Sequence, residues 1–263
     1  MKAILLFHSN SGHTRRVCDY LSRQLRGIDW TLADMRHPVP SELSGYDLVG
    51  FATWTYYMGV PPLVLDFIRS LPVQQHTPAF IVTTFGMMSG QSLKCLEQAI
   101  RTRGFQPVDG FSLHTPENYP PFVLKGNGWD SPNAPEPSAL QQFEEFITRL
   151  RNRIDNPRMA GRPIRIGFWN SLMRPSSLNK VQKDMGTLQL DRTLCDGCAA
   201  CVAACAYSAA RMENSIPVFN TSACKACWNC FNACPKKALS TDRVDSSGQF
   251  AGLSPEFCQK LPV

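Results

Sequence analysis

Four cysteines spaced Cys195-x-x-Cys198-x-x-Cys201-x-x-x-Cys205 recur as Cys224-x-x-Cys227-x-x-Cys230-x-x-x-Cys234-Pro235. No other feature constrains the fold of this chain as tightly. Three thiolates at two-residue spacing wrap a tight loop around three corners of a cube, and the fourth corner needs a ligand from further away. Eight of the eleven cysteines lie between Cys195 and Cys234, and only Cys18, Cys95 and Cys258 lie elsewhere. The start, MKAILLFHSNSG, is too short in apolar residues for an export signal and reads as a first strand. The expectation is a cytoplasmic, reducing compartment, where clustered cysteines bind metal rather than pair as disulfides. Two 4Fe-4S clusters follow; paired zinc sites fit two tandem runs of four poorly. The small residues Gly197, Ala199, Ala200, Ala203 and Ala204 leave backbone free to approach the inorganic sulfides. With so little apolar core, the segment is expected to unfold without metal.

The tandem runs resemble bacterial two-cluster ferredoxins, a small α+β fold. That resemblance implies crossed ligation, because in those proteins the fourth cysteine of each run binds the other cluster. Cys195, Cys198, Cys201 and Cys234 would hold one cluster, and Cys224, Cys227, Cys230 and Cys205 the second. One departure is Ala206 after Cys205, where the second run keeps Pro235. Proline there turns the chain but ligates nothing, so both clusters are still expected.

The formal charge of +6 first suggests a polyanion partner. Two oxidised clusters with their eight thiolates add about −4, which leaves about +2. A bound phosphate lowers it further, so no nucleic-acid partner is expected. No run approaches the roughly 18 apolar residues of a spanning helix, so no membrane span is expected either. At 263 residues the chain suits one medium and one small domain. The reading is a first domain over 1–154, a basic linker over 155–184, the cluster domain over 185–245 and a C-terminal tail over 246–263.

From Lys2 to about Ile154, short apolar runs alternate with amphipathic stretches, as a parallel sheet with crossover helices requires. Strands are expected at Lys2 to Phe7, Asp29 to Asp34, Asp47 to Ala52, Ala79 to Thr84 and Val108 to His114. Helices are expected at Thr14 to Leu25, Pro61 to Ser70, Gln91 to Arg103 and Ser138 to Ile154. The stretch Thr115 to Pro137, rich in proline, reads as a long loop without regular structure, a lid or docking surface. The linker carries Arg158, Arg162, Arg165, Arg174, Lys180 and Lys183 against Asp155 and Asp184. It reads as a solvated connector or as a docking site for an acidic redox partner. Within it, Ile164 to Met173, with Phe168 and Trp169, reads as a short helix packed across the domain junction.

Directly after the first strand comes His8-Ser9-Asn10-Ser11-Gly12-His13-Thr14. Hydroxyls, a glycine and backbone N–H groups at a helix N-terminus make a phosphate cradle without a lysine. An ordinary strand-to-helix turn is the competing reading. The loop resembles the flavodoxin phosphate loop, Thr/Ser-x-Thr/Ser-Gly-x-Thr, through Ser9, Ser11, Gly12 and Thr14. Two later loops strengthen the resemblance: Thr53-Trp54-Thr55-Tyr56-Tyr57-Met58-Gly59, where a Thr-Trp pair would cover one flavin face, and Thr84-Phe85-Gly86-Met87-Met88-Ser89-Gly90. The resemblance implies a flavodoxin-like, doubly wound five-stranded parallel sheet. It also implies an FMN site on all three loops, at strand C-terminal ends. The third loop departs from the flavodoxin pattern, with Phe85 and methionines where acidic residues are common. Less negative charge beside the flavin predicts a less negative lower potential than in acidic flavodoxins. His8 and His13 either add a contact to the phosphate or are partly exposed loop residues. Cys18 and Cys95 read as core packing, and Cys258 fits neither cluster motif.

As a whole the chain resembles the ferredoxin-flavodoxin fusion proteins of anaerobic bacteria and archaea; Pro61-Pro62 and Glu117-Asn118-Tyr119 look like features of that group too. The resemblance implies an electron carrier holding two 4Fe-4S clusters and FMN, with a redox protein as donor and another as acceptor. The alternative is a flavin-dependent oxidoreductase that holds a small organic molecule under the Thr115 to Pro137 loop, with Tyr56, Tyr57 or His114 supplying a proton. No G-x-G-x-x-G element for a nicotinamide cofactor and no catalytic triad signature accompany it. A homodimer is compatible with the sequence but not demanded by it.

Overall fold

The computed structural model describes residues 1–40, 42–124, 131–156 and 163–263. By backbone contacts the chain forms two compact units. The first comprises Met1–Pro116, Pro132–Pro175 and Leu253–Val263; the second comprises Glu117–Ser131 and Ser176–Gly252.

The first unit alternates β1 (Lys2–His8), α1 (His13–Gln24), β2 (Asp29–Asp34), β3 (Leu48–Trp54), α2 (Pro62–Ser70), β4 (Thr77–Phe85), α3 (Ser92–Arg101) and β5 (Phe105–His114). The strands form one parallel sheet in the order β2-β1-β3-β4-β5. β1 and β3 are continuous apolar runs because helices cover the sheet on both faces. On one face Ala3, Leu5 and Phe7 pack with Val17 and Leu21 of α1 and with Phe143, Phe146 and Leu150 of a later helix. On the other, Ile4, Leu6 and Phe51 pack with Val64 and Ile68 of α2 and Leu96 and Ile100 of α3. The order reverses between β1 and β3, which opens a crevice at their C-terminal ends where such folds bind ligands.

The segment after β5 contains a regular turn, α4 (Pro120–Val123), against the expectation of none. Pro120 and Pro121 fall in its first turn, where a missing N–H breaks no intrahelical bond. It counts with the second unit. Residues 125–130 of the expected lid lie outside the described residues. α5 (Pro137–Ile154) returns to the sheet.

The expected junction helix is shorter, α6 (Phe168–Leu172), and none of its side chains is buried. Ile164 and Ile166, ahead of it, are the residues that pack, against the core under α2 and α3. Arg158 and Arg162 of the linker lie outside the described residues.

The second unit continues with α7 (Leu178–Met185), β6 (Leu188–Leu190), α8 (Ala200–Ala203), β7 (Ala210–Glu213), β8 (Ile216–Phe219), α9 (Asn229–Ala233) and β9 (Leu239–Thr241). β6 pairs antiparallel with β9, and β7 with β8. The β7–β8 hairpin turns on Asn214 and Ser215, both at positive φ, as a two-residue turn that matches strand twist requires.

The residues read as a tail do not all trail. α10 (Pro255–Lys260) places Phe257 and, just beyond it, Leu261 fully buried in the core beside α1. Arg16 of α1 donates from Nε to the Leu261 carbonyl at 2.7 Å and from a terminal nitrogen to that of Cys258 at 2.9 Å. Among the described residues no helix is long and apolar enough to cross a membrane.

Candidate functional site

At the β1 end of the sheet crevice, Gly12 takes φ +95 and starts α1. A left-handed turn there suits glycine, and a Cβ would lie 3.2 Å from Leu253 Cδ1. No side chain caps the helix, so its first N–H groups are left for another acceptor. The Thr14 and Thr84 hydroxyls meet at 2.8 Å, joining this loop to the end of β4. Ser11 Oγ lies 2.8 Å from His13 Nδ1.

Around this turn, polar atoms are buried without hydrogen-bond partners among the described residues: both ring nitrogens of His8, Ser9 Oγ, Asn10 Oδ1 and Trp54 Nε1. Leaving such groups unpaired costs about 1–3 kcal/mol each. The Ser9 hydroxyl and the first N–H groups of the uncapped helix are donors that a phosphate satisfies, while the Trp54 N–H and the Asn10 amide oxygen need other polar atoms of a ligand, so the residues present fit FMN. His8 and His13 are not partly exposed loop residues: they are 0% and 2% exposed. Burial pushes each imidazole down to about 4; at His8 the nearby Arg36 cation acts in the same direction and Asp34 opposes it.

The second loop is a tight turn. Tyr56 N–H donates to the Gly59 carbonyl at 2.9 Å and Gly59 N–H to that of Tyr56 at 2.8 Å, with Tyr57 and Met58 at positive φ. Trp54 meets Tyr56 edge-on at 5.6 Å between centroids, and Tyr56 meets Tyr57 at 4.8 Å. Thr53 is fully buried. Thr55 N–H donates to the Thr84 carbonyl at 2.7 Å, and its hydroxyl to Ser92 Oγ at 3.0 Å.

The third loop docks onto the second. Gly90 has φ +50, and a Cβ there would fall 2.5 Å from Met58 Cβ; Gln91 N–H donates to the Met58 carbonyl at 2.8 Å. Phe85 stacks on His114 at 5.2 Å, while His114 Nδ1 lies 2.8 Å from Glu136 Oε2. The structure thus brings the loops containing Ser9–Thr14, Thr53–Gly59 and Thr84–Gly90 to one edge of the sheet, where register pairs His8 with Thr53 and Trp54 with Thr84.

In the second unit the internal repeat is visible in the backbone. The left-handed residues Gly197, Ala199 and Ser208 recur as Ala226, Trp228 and Lys237, each 29 positions on. Cys195 N–H donates to the Asp191 carbonyl at 3.1 Å, as Cys224 N–H does to that of Asn220 at 3.0 Å. Ala209 N–H points at Cys205 Sγ at 3.2 Å and Ala238 N–H at Cys234 Sγ at 3.3 Å. The turn after Cys205 matches the one after Cys234, with Ser208 and Lys237 donating back to the respective carbonyls at 3.3 and 3.2 Å. Ala206 therefore supports the same turn as Pro235.

Cys195, Cys198, Cys201 and Cys234 line one cavity, with Leu190, Pro217 and Leu239. Cys205, Cys224, Cys227 and Cys230 line another, with Met185, Phe219 and Trp228. Among the described residues no three such side chains close on a single point, as one bound ion requires. Burial and then the neighbouring Cys234 push the Cys201 thiol up. Burial raises Cys227 to about 12 and Cys230 well above the ordinary range, and neighbouring thiols of the same set add to it. Mutually crowded thiols in an apolar pocket give up their protons only to a strongly positive guest. Four thiols around each cavity fit a 4Fe-4S cluster.

Residues 4–105 match the family model of a flavodoxin domain, and residues 187–235 that of a 4Fe-4S dicluster domain. These two domains imply FMN and two 4Fe-4S clusters as cofactors. Among curated proteins, YsaA of Escherichia coli strain K12, provisionally named as an electron transport protein, is 29% identical over 68 residues. The match covers 24% of this chain and 43% of that protein. Among solved structures, a flavodoxin from the domain Archaea is 15% identical, covering 59% of this chain and 100% of its own, at a TM-score of 0.44. A flavodoxin from Streptococcus pneumoniae TIGR4 is 18% identical, covering 58% and 99%, at 0.44.

Proposed function

Because one chain joins a flavodoxin domain to a 4Fe-4S dicluster domain, we propose that it is an electron carrier linking a low-potential donor to an acceptor redox enzyme. The observation that carries this reading is the coexistence of two four-thiol cavities with a crevice whose buried polar atoms wait for a ligand. When bound, FMN exchanges one or two electrons and each cluster exchanges one, so the chain would match one-electron to two-electron partners.

Cys195, Cys198, Cys201 and Cys234 would hold one cluster, and Cys205, Cys224, Cys227 and Cys230 the other. The Ala209 and Ala238 amides aimed at cysteine sulfur stabilise the charge a thiolate carries, which is how a protein tunes such a site. Ser9, Asn10, Ser11, Gly12, His13 and Thr14 would take the FMN phosphate on backbone and hydroxyl groups. Trp54, Thr55, Tyr56, Tyr57 and Gly59 would shape one side of the ring site, and Phe85, Gly86, Met87 and Gly90 the other. No carboxylate occurs between Thr84 and Gly90, which supports a less negative lower flavin potential than in acidic flavodoxins. Eight cysteines gathered between Cys195 and Cys234 at metal-ligand spacing support a reducing, cytoplasmic setting.

In the oxidoreductase alternative the contact of His114 Nδ1 with Glu136 Oε2 at 2.8 Å would leave Nε2 as the nitrogen that supplies a proton. The test is anaerobic purification followed by iron and flavin analysis and reductive titration. About eight irons and one FMN per chain are expected. Turnover of a small organic substrate with dithionite as the only reductant would favour the alternative.

A further inference from the structure

Among the described residues, Phe168, Trp169 and Leu172 on α6 are 70%, 74% and 59% exposed, and they sit together on a single helical turn. A soluble surface rarely spends a Trp and a Phe side by side in water without a purpose. The Phe168 and Trp169 rings pack edge-on at 5.5 Å, forming a raised apolar knob.

The knob is held firmly. Ile164 and Ile166, ahead of it, are partly buried and pack against the sheet core. Gln91 Nε2 donates to the Ser171 carbonyl at 2.6 Å. Pro175 behind it sits so close to Gly59 that a Cβ there would fall 2.9 Å from Pro175 Cβ. Gly59 ends the second loop of the crevice, and Gln91 follows the third. The knob is thus pinned by the two loops that would flank the flavin. Residues 156–175 carry four arginines and no carboxylate in sequence, and of these Arg165 and Arg174, next to the knob in the chain, are exposed.

We infer that Phe168, Trp169 and Leu172, rimmed by Arg165 and Arg174, form the docking site for an acidic redox protein that exchanges electrons at the flavin crevice. This rests on the FMN reading above. An aromatic centre with an arginine rim is the composition of interface hot spots, and the uniform positive sign selects a negative partner and speeds encounter. Three side chains on a five-residue helix bury too little for stable membrane attachment, which takes a larger apolar face or a second anchor. A small patch beside a redox site instead suits a brief encounter.

The test mixes the anaerobic, cofactor-loaded protein with an acidic two-cluster ferredoxin pre-reduced by dithionite, each ferredoxin cluster giving up one electron, and follows loss of flavin absorbance. Trp169→Ala and the double variant Arg165→Glu/Arg174→Glu should each slow the second-order rate by about tenfold at low salt. Trp169→Phe should restore most of it, and the wild-type rate should fall as salt rises. Dithionite alone should bleach the flavin of every variant at the wild-type rate, which separates docking from cofactor binding. Unchanged rates in Trp169→Ala, or a rate that rises with salt, would overturn the proposal. So would Trp169-dependent binding to phosphatidylglycerol vesicles with the ferredoxin rate intact, which would assign the knob to a membrane surface. Flavin absent from the wild type would overturn the FMN reading and this one together.

Discussion

The hydroxyls of Thr14 and Thr84, seventy residues apart in the chain, lie 2.8 Å from each other and tie the first turn of α1 to the end of β4. Both residues are buried, at 1% and 2% exposure, so removing one hydroxyl strands the other away from water. Thr14→Val should cost about 1–2 kcal/mol of stability in urea unfolding and weaken FMN binding by about tenfold in a fluorescence titration. Unchanged affinity would place the phosphate elsewhere.

Stability should fall on acidification through two histidines. Buried His8 and His13 are lowered to about 4 from an ordinary 6.5. Between those values the unfolded chain takes up protons that the folded chain refuses, so stability is full above about pH 6.5 and is lost toward pH 4. Each histidine accounts for on the order of 3 kcal/mol at the acid end. Urea midpoints of the FMN-free protein at pH 7, 5.5 and 4.5 should show the decline, and His8→Phe should shrink it. An equal decline in that variant would remove His8 from the account.

Gly90 and Gly27 separate a loop contact from simple backbone strain. Both have positive φ, but a Cβ on Gly90 would strike Met58 Cβ and Cα at 2.5 and 2.7 Å, whereas nothing lies within 4 Å at Gly27. Gly27→Ala should cost about 1 kcal/mol. Gly90→Ala should cost roughly 2–3 kcal/mol and also weaken FMN binding, because it forces apart the two loops that would flank the flavin ring. Equal costs would show that the loops yield easily.

The two thiol sets predict a pairing of phenotypes. Cys205→Ala should abolish the same electron paramagnetic resonance signal as Cys224→Ala, and Cys234→Ala the same one as Cys195→Ala. Each variant should drop from about eight irons to about four. If Cys205→Ala instead matched Cys201→Ala, each run would hold its own cluster.

Iron removal should act on one unit only. With few apolar residues of its own, the 176–252 segment should lose hydrogen-exchange protection when a chelator strips the metal, while the sheet keeps its own. Retained protection in both units would mean that the cluster fold stands without its metal.

Much of the sheet was legible because each strand is an apolar run bounded by polar turns: β2 falls on Asp29–Asp34 as expected, and β1 extends one residue further, to His8. That residue shows where reading stops. A histidine at a strand end looks like the start of a loop, and only the β2 and β3 neighbours reveal that it is fully buried. α10 was missed because a six-residue helix shows too little periodicity, and its burial depends on α1, some 240 residues earlier. α4 was missed because Pro120 and Pro121 were read as breakers, although the first turn accepts them. The cysteine spacing was legible on its own, since each ligand loop is local. What spacing alone could not give is the seat of the fourth thiol of each set, which depends on how the two halves of the repeat pack.

The most direct test of a carrier with both cofactor types in one chain is flash reduction of the anaerobic, fully loaded protein, following cluster and flavin absorbance over a range of protein concentrations. The account predicts that electrons redistribute between the two with a first-order rate that does not change with concentration. A rate proportional to concentration, or no redistribution at all, would contradict it.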